Sequence, residues 1–405
     1  MPTRYGTSPW THDLPASRMR SFPRYRGERT ADIVVVGGGL TGCVTAHACA
    51  AAGLTTILLE RDRVGLGATT RSAGLLTPDP GPTFREIAGA HGARAALRVF
   101  ESWRRGALDG AAAIRRLGIK CQLEPRGVIV AGRREDEKEM RRECEARRKA
   151  GLDVSWLKPR QLQSGMTFEA AAGMRMRDGF AIDPYRACAG FAAAAAKRGA
   201  LLFEHSTVKK IRFTRKVADV VADRGTIRTK AVIIATGTAT PLFSPLRRHL
   251  TRREKYFALT ERIPAAIRRQ LGYSGVVLSD VRVPPHRVCW PSGERILVAG
   301  ADQDETPERK RPEILVQRTG QLMYELSTMY PAMSGLQPEF GWEASYGESA
   351  DRLMYIGAHR NYPHHLFAFG GQPDNLTGAF VAARILLRAV QQTPDSADEV
   401  FSWTR

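Results

Sequence analysis

No stretch of this 405-residue chain approaches the roughly 18 unbroken apolar residues that a membrane-spanning helix needs. The first thirty residues carry arginines, prolines and Glu28 and have no apolar run of the secretory-signal kind, so an extended arm on the body of the protein is expected there. The six cysteines, Cys43, Cys49, Cys121, Cys144, Cys188 and Cys289, form no C-x-x-C pair. That spacing argues against a zinc site or a disulfide framework and for buried free thiols in a reducing cytoplasm. Acid is scarce, with 41 Asp and Glu against 61 Lys and Arg, a net charge of +20. The densest basic blocks are "RRECEARRK" and "RRHLTRREK". In the first, Glu137–Arg141 and Glu143–Arg147 stand four apart, which predicts a solvated helix over 133–149. The second, 247–255, is more purely basic and suited to an anion. Neither is interleaved with aromatic residues, so a solvated arginine-rich surface is preferred, with a nucleic-acid face as the alternative.

What is present is concentrated in "ADIVVVGGGLTGCVTAHACAAAGLTTILLERD", residues 31–62. The apolar run 31–36 suits a parallel strand buried on both faces. Gly37-Gly38-Gly39-Leu40-Thr41-Gly42 follows at once. Gly37 permits a tight turn, Gly39 a close approach to a pyrophosphate, and Gly42 close packing of helix on strand. Free amides at the next helix start would face the phosphates. Glu60 ends the second strand, where a carboxylate can take both ribose hydroxyls and disfavours the extra phosphate of NADP. Three later stretches favour FAD over NAD: "VGLGATTRSAGLL" (64–76), "KAVIIATGTA" (230–239) and the glycine turn before a helix in 355–390. With no second G-x-G-x-x-G in mid-chain, a built-in NAD(P)H site is not expected.

With "VVVGGGLTG", "LLERD", "GATTRSAGLL", "IIATG", "FALTERIP" and "DRLMYIG…FAFGG" in order, the chain resembles the FAD-dependent D-amino-acid oxidase superfamily, in its glycine oxidase, sarcosine oxidase and γ-glutamylputrescine oxidase branch. The resemblance implies an α/β fold: a Rossmann-like FAD domain of the glutathione-reductase type interleaved with a mixed-sheet α+β substrate domain. The FAD domain would comprise 1–82, 183–240 and 341–405, and the substrate domain 83–182 and 241–340. It further implies that the 37–42 turn, Glu60 and Arg61 hold the adenosine and pyrophosphate, and that Ala68, Thr69, Arg71, Ser72, Ala73 and Gly74 run along the pyrophosphate and flavin. Val208 would meet the adenine through its backbone. Thr236 and Gly237 would line the cofactor, and 371–378, with Gly371, Asn375, Leu376, Thr377 and Gly378, would close over the flavin ring. The implied reaction removes a hydride from the C–N bond of a small-molecule amine, giving an imine that water hydrolyses. The flavin carries the chemistry, so no catalytic triad is assigned.

Departures from the family pattern refine this. Arg71 stands where some relatives attach flavin through histidine, and no cysteine follows Cys289, so non-covalent FAD is expected. Tyr346 falls where glycine oxidase-like sequences place an arginine, and Gln372, Asp374 and Asn375 offer no cation for a substrate carboxylate. A small α-amino acid is thereby disfavoured unless His286 or Arg287 enters from the substrate domain. Glu343 and Asp374 would suit a cationic amine, polyamine-like or N-alkylated. Val298 aligns with the lysine that sarcosine oxidase-like proteins hold over the flavin, which leaves oxygen, a quinone or a carrier protein as the electron acceptor. Tyr256, His286, Trp290, Tyr346 and Gln372 are the substrate-pocket candidates. An oxidase of a modified tRNA uridine and a non-catalytic flavin-binding assembly subunit are the competing readings.

Overall fold

In this computed structural model, residues 2–405 are described apart from 13, 16, 18, 164–169, 215, 272–274 and 283. Ile33, Val34 and Val35 are almost wholly buried, because the strand Gly27–Val36 lies between two parallel neighbours. Thr56–Leu59 flanks it on one side and Gly225–Gly237 on the other. Among the described residues eight strands form this sheet, in the order Tyr355–His359, Tyr362–Phe369, Gly225–Gly237, Gly27–Val36, Thr56–Leu59 and Leu201–Phe203. A hairpin, Val208–Phe213 with Ala218–Ala222, extends from Gly225–Gly237. Three distant parts of the chain thus share one sheet. The helices Leu40–Ala51, Pro184–Lys197 and Thr377–Gln391 cover one face. Small residues on them, Ala46, Ala187, Ala192, Ala379 and Ala382, allow the close approach.

Ten more strands form a larger mixed sheet. It begins Arg4–Tyr5, Pro338–Glu348, Thr251–Thr260, Arg295–Asp304, Arg287–Ser292 and continues to Leu75–Leu76. The helix Arg311–Met329 packs on one face, where Tyr256, Val298 and Trp290 join Leu315, Leu322 and Leu326. The opposite face holds Phe257, Leu297, Trp342 and Ala344 together with Ala73 and Leu75. The sheets divide the chain differently at two expected boundaries. Residue 341 falls inside Pro338–Glu348, and Leu75–Leu76 belongs to the larger sheet. Both strands carry residues of the expected FAD domain into the other sheet.

The N-terminal arm crosses both sheets. Arg4 and Tyr5 pair with Phe340 and Gly341, the Trp10 indole donates to Ser72 O at 2.9 Å, and the Tyr25 amide donates to Ser206 Oγ at 2.9 Å. The charged helix forms as Glu137–Lys149, with one of its two expected pairs on the surface, Glu137–Arg141 at 2.8 Å. The other is not solvated. Glu143 and Arg147 are buried at 2.6 Å, because the Glu143 carboxylate accepts the Phe84 and Arg85 amides at the start of the helix Phe84–His91. All six cysteines are free and buried. No helix among the described residues is long and apolar enough to cross a membrane.

Candidate active site

The glycine turn is closed by backbone that tolerates no side chain. A Cβ at Gly42 would lie 1.9 Å from Gly37 O, and one at Gly37 (φ +110°) 2.6 Å from Ala235 O. Gly39 precedes the helix Leu40–Ala51 and has no side chain to cap it, so the first amides of the helix take acceptors from elsewhere. Thr69 Oγ1 accepts the Leu40 amide at 2.9 Å, the kind of contact a phosphate oxygen makes. The Glu60 carboxylate accepts the Gly38 amide at 2.6 Å and the Asp62 amide at 2.9 Å, which sets it across the turn. Arg61 points to solvent beside Asp62. The segment nearest Glu60 is 203–206, since the Ser206 amide donates to Glu60 O at 2.8 Å. Val208 lies two residues on, half-buried and paired with Ala222. The Thr236 hydroxyl donates to Thr238 O, and Gly237 O accepts the Gly370 amide at 3.1 Å.

The turns 68–76 and 371–378 are stitched together. The Ala73 amide donates to Pro373 O at 3.1 Å, and the Leu376 amide to Leu75 O at 2.8 Å. Asn375 Oδ1 accepts the Thr77 and Thr377 amides while its Nδ2 donates to Asp79 O at 2.7 Å. Thr377 Oγ1 donates to Thr77 O. Gly74 (φ +71°) has no room for a Cβ, which would meet Ile182 O at 2.4 Å. Arg71 pairs with Glu343 at 2.7 Å, and its carbonyl accepts the Trp342 indole. Gln372, with Gly371 before it, sits by a small cavity that Trp103, Met354, Gly370 and Gly378 also line.

Where these turns meet the larger sheet lies a buried charge group in which Lys255 and Asp302 join the expected Arg287, Asp374 and Tyr346. Lys255 Nζ is 3.0 Å from Asp374 and 3.4 Å from Asp302. Arg287 Nε is 3.5 Å from Asp374, and the Tyr346 hydroxyl donates to Asp302 at 2.7 Å. Lys255, Arg287, Asp302 and Asp374 have side chains no more than 7% exposed. Burial works against the Lys255 charge, yet Asp374 and Asp302 more than offset it and hold its pKa above the ordinary lysine value. Burial likewise opposes the Asp374 charge, but Arg287 and Lys255 lower its carboxyl to about 2. A β-bulge assembles the group. Glu254 pairs with Gln303 and Tyr256 with Gly300, so Ala301 and Asp302 together oppose Lys255, and Ala301 takes φ 52°. The extra residue turns Asp302 onto Lys255's face.

Four expectations are corrected here. Tyr256, His286 and Trp290 are on the helix side of the sheet; their neighbours Lys255, Arg287 and Cys289 face the two turns. Successive strand residues alternate faces, so a displacement of one residue exchanges the two sets. Val298 also faces the helix. Glu343 and Asp374 are not free anions for a cationic amine, being paired with Arg71 and with Lys255 and Arg287. Arg287 does enter from the substrate sheet, as the alternative expectation allowed, and Lys255, which was not expected, enters with it. Of the pocket candidates Tyr346 lies on the site's face.

His286 instead lies between Asp280 at 2.8 Å and Glu325 at 2.5 Å. Burial disfavours its charge, but the two carboxylates outweigh burial and lift the imidazole to about 9. A raised histidine stabilises fully below its unfolded value near ~6.5 and loses that contribution as pH rises through the folded one. The midpoint gap between wild type and His286→Gln in thermal unfolding is therefore expected to be widest near about pH 6 and to close above about pH 9.

The glycine cradle at the helix start and the carboxylate across the turn fit an adenine dinucleotide, and Thr69 joins this cradle to the stitched turns 68–76 and 371–378. A family model described as FAD dependent oxidoreductase matches residues 32–389; the chain belongs to this DAO family, and its cofactor is FAD. Glycine oxidase from Bacillus licheniformis is 26% identical over 374 residues, covering 88% of this chain and 93% of that one. The γ-glutamylputrescine oxidoreductase of Escherichia coli (strain K12) is 22% identical over 395 residues, covering 95% and 89%. In fold, the crystal structure of glycine oxidase from Geobacillus kaustophilus is similar, with a TM-score of 0.76, 19% identity and coverage of 93% and 99%.

Proposed function

We propose that this FAD-dependent oxidoreductase oxidises the C–N bond of an amine of zero net charge, an α-amino acid or its N-alkyl derivative. The bond loses a hydride from carbon and a proton from nitrogen, and water converts the imine to a carbonyl compound and an amine. FAD, when bound, supplies the hydride acceptor; oxygen or another oxidant restores it. Gly37 to Gly42 and Glu60 would hold its adenosine and pyrophosphate, and the turns 68–74 and 371–378 the flavin end. The charge balance of the buried group carries the substrate class. Lys255 and Arg287 match Asp302 and Asp374, so a lone cation or carboxylate would arrive as an uncompensated buried charge, at a cost of several kcal/mol. A zwitterion or a neutral amine adds none. Relatives named for glycine and γ-glutamylputrescine support amine chemistry, and the charge group favours the former kind of substrate over a polycation.

The test is the visible flavin spectrum under argon on adding glycine, sarcosine, L-proline, putrescine and γ-glutamylputrescine in turn. Bleaching by an amino acid and none by putrescine is the expected result. Bleaching by putrescine alone would overturn the substrate class, and a flavin band that no amine bleaches would overturn the activity. Readmitting air then reports, by the rate at which colour returns, whether oxygen is the acceptor.

A further inference from the structure

One buried oxygen of the charge group has nothing to answer it. The Asp302 side chain is 2% exposed. Its Oδ1 accepts the Tyr346 hydroxyl at 2.7 Å and is the oxygen nearest Lys255. Its Oδ2 has no hydrogen-bond partner among the described residues. A buried carboxylate oxygen without a donor is destabilising, and the hydrogen bonds its neighbours make go elsewhere. Lys255 donates to Asp374 at 3.0 Å, Arg287 to Ser279 and the Asp374 carbonyl, and the single phenolic proton of Tyr346 is on Oδ1. Burial and the Asp302 charge push the Tyr346 pKa up, which keeps that proton in place. The bulge at Ala301 places Asp302 beside Lys255, whose ammonium also reaches Asp374 in the turn 371–376.

We propose that Asp302 Oδ2 accepts a hydrogen bond from the amine nitrogen of the substrate and thereby orients the C–N bond. The assignment rests on the amine-oxidising reading given above. A carboxylate at this distance also favours the protonated amine, so Asp302 sets the pH at which the bound amine becomes neutral and able to react. Tyr346 tempers that effect by occupying the other oxygen.

The holoenzyme is tested as wild type, Asp302→Asn and Tyr346→Phe, with whichever of glycine, sarcosine or L-proline bleaches the wild type. Methoxyacetate, which replaces the N–H of sarcosine with an ether oxygen, is the probe without a donor, followed by its perturbation of the flavin spectrum. Asp302→Asn is expected to weaken the amine at least about tenfold, to bind methoxyacetate at least as well as wild type, since the variant removes one negative charge from the group, and to move the pH profile of flavin bleaching down by about one unit. Tyr346→Phe frees Oδ1 and is expected to move the profile the opposite way, so a poorly folded Asp302→Asn still leaves a signed prediction. Equal losses for amine and methoxyacetate, or a profile that neither variant moves, would overturn the role of Asp302 while amine oxidation stands. If no compound bleaches the wild type, the functional reading fails and this assignment fails with it.

Discussion

Lys255→Met is expected to destabilise the protein by about 3–5 kcal/mol, the range for removing one partner of a buried ion pair. The ammonium is 3.0 Å from Asp374 and 3.4 Å from Asp302, with all three side chains at most 4% exposed. Methionine fills similar space but leaves two buried carboxylates facing Arg287 alone. The charge that remains has no water to solvate it, so burial energy from the methionine does not offset the loss. The turn 371–376 should loosen as well, because Asp374 is one of its ties to the larger sheet, beside the Leu376 bond to Leu75, and FAD retention should fall with it. Lys255→Met/Asp302→Asn restores a neutral group and is expected to recover at least half of the lost stability. Denaturant unfolding of the three proteins measures both numbers. A single variant as stable as wild type, or a double variant no better than the single, would show that charge balance does not hold this junction together.

How much of this was legible in the sequence follows from the range of each interaction. The glycine turn, helix start and Glu60 lie within 31–62, where covalent spacing alone brings the groups together. The sequence marks each of the two stitched turns singly but not their partnership, since the Asn375 bonds to Thr77 and Asp79 span nearly three hundred residues. The substrate sheet was harder for a specific reason. Its strands are covered on both faces, by the helix Arg311–Met329 on one and by the turns on the other, so no polar alternation marks the inner side. Tyr256 and His286 face the helix, and the inner residues are Lys255 and Arg287, each one position away. Lys255 had been counted in a surface basic block. Asp302 could not be found by alternation at all, because the bulge at Ala301 changes the parity of its strand. Glu143 and Arg147 show the same limit: four-residue spacing marked the pair, while burial depended on a helix sixty residues earlier.

Gly42→Ala is expected to abolish flavin binding and to cost about 3 kcal/mol or more, at the upper end of overpacking. The added methyl would lie 1.9 Å from Gly37 O and 3.1 Å from Gly37 C. Those are backbone atoms, so no rotamer change relieves the clash. The turn cannot retreat either: the Gly37 amide is held by Leu59 O at 2.9 Å, and Gly37 O belongs to the peptide that leads into Gly38, whose amide Glu60 accepts. Helix Leu40–Ala51 must therefore move off its strand, and the amides aimed at the pyrophosphate move with it. Gly53→Ala is the control, in the same strand–helix–strand unit. It also has positive φ, at +82°, but nothing lies within 4 Å of its Cβ. It should cost only the roughly 1 kcal/mol of a left-handed alanine and keep the flavin. Purifying both variants and reading the ratio of visible to protein absorbance separates the two costs. A Gly42→Ala protein as yellow as wild type would mean that the cradle does not position the cofactor. Equal loss in both variants would mean that any damage to this unit releases it, and that the close contact at Gly42 has no special part in binding.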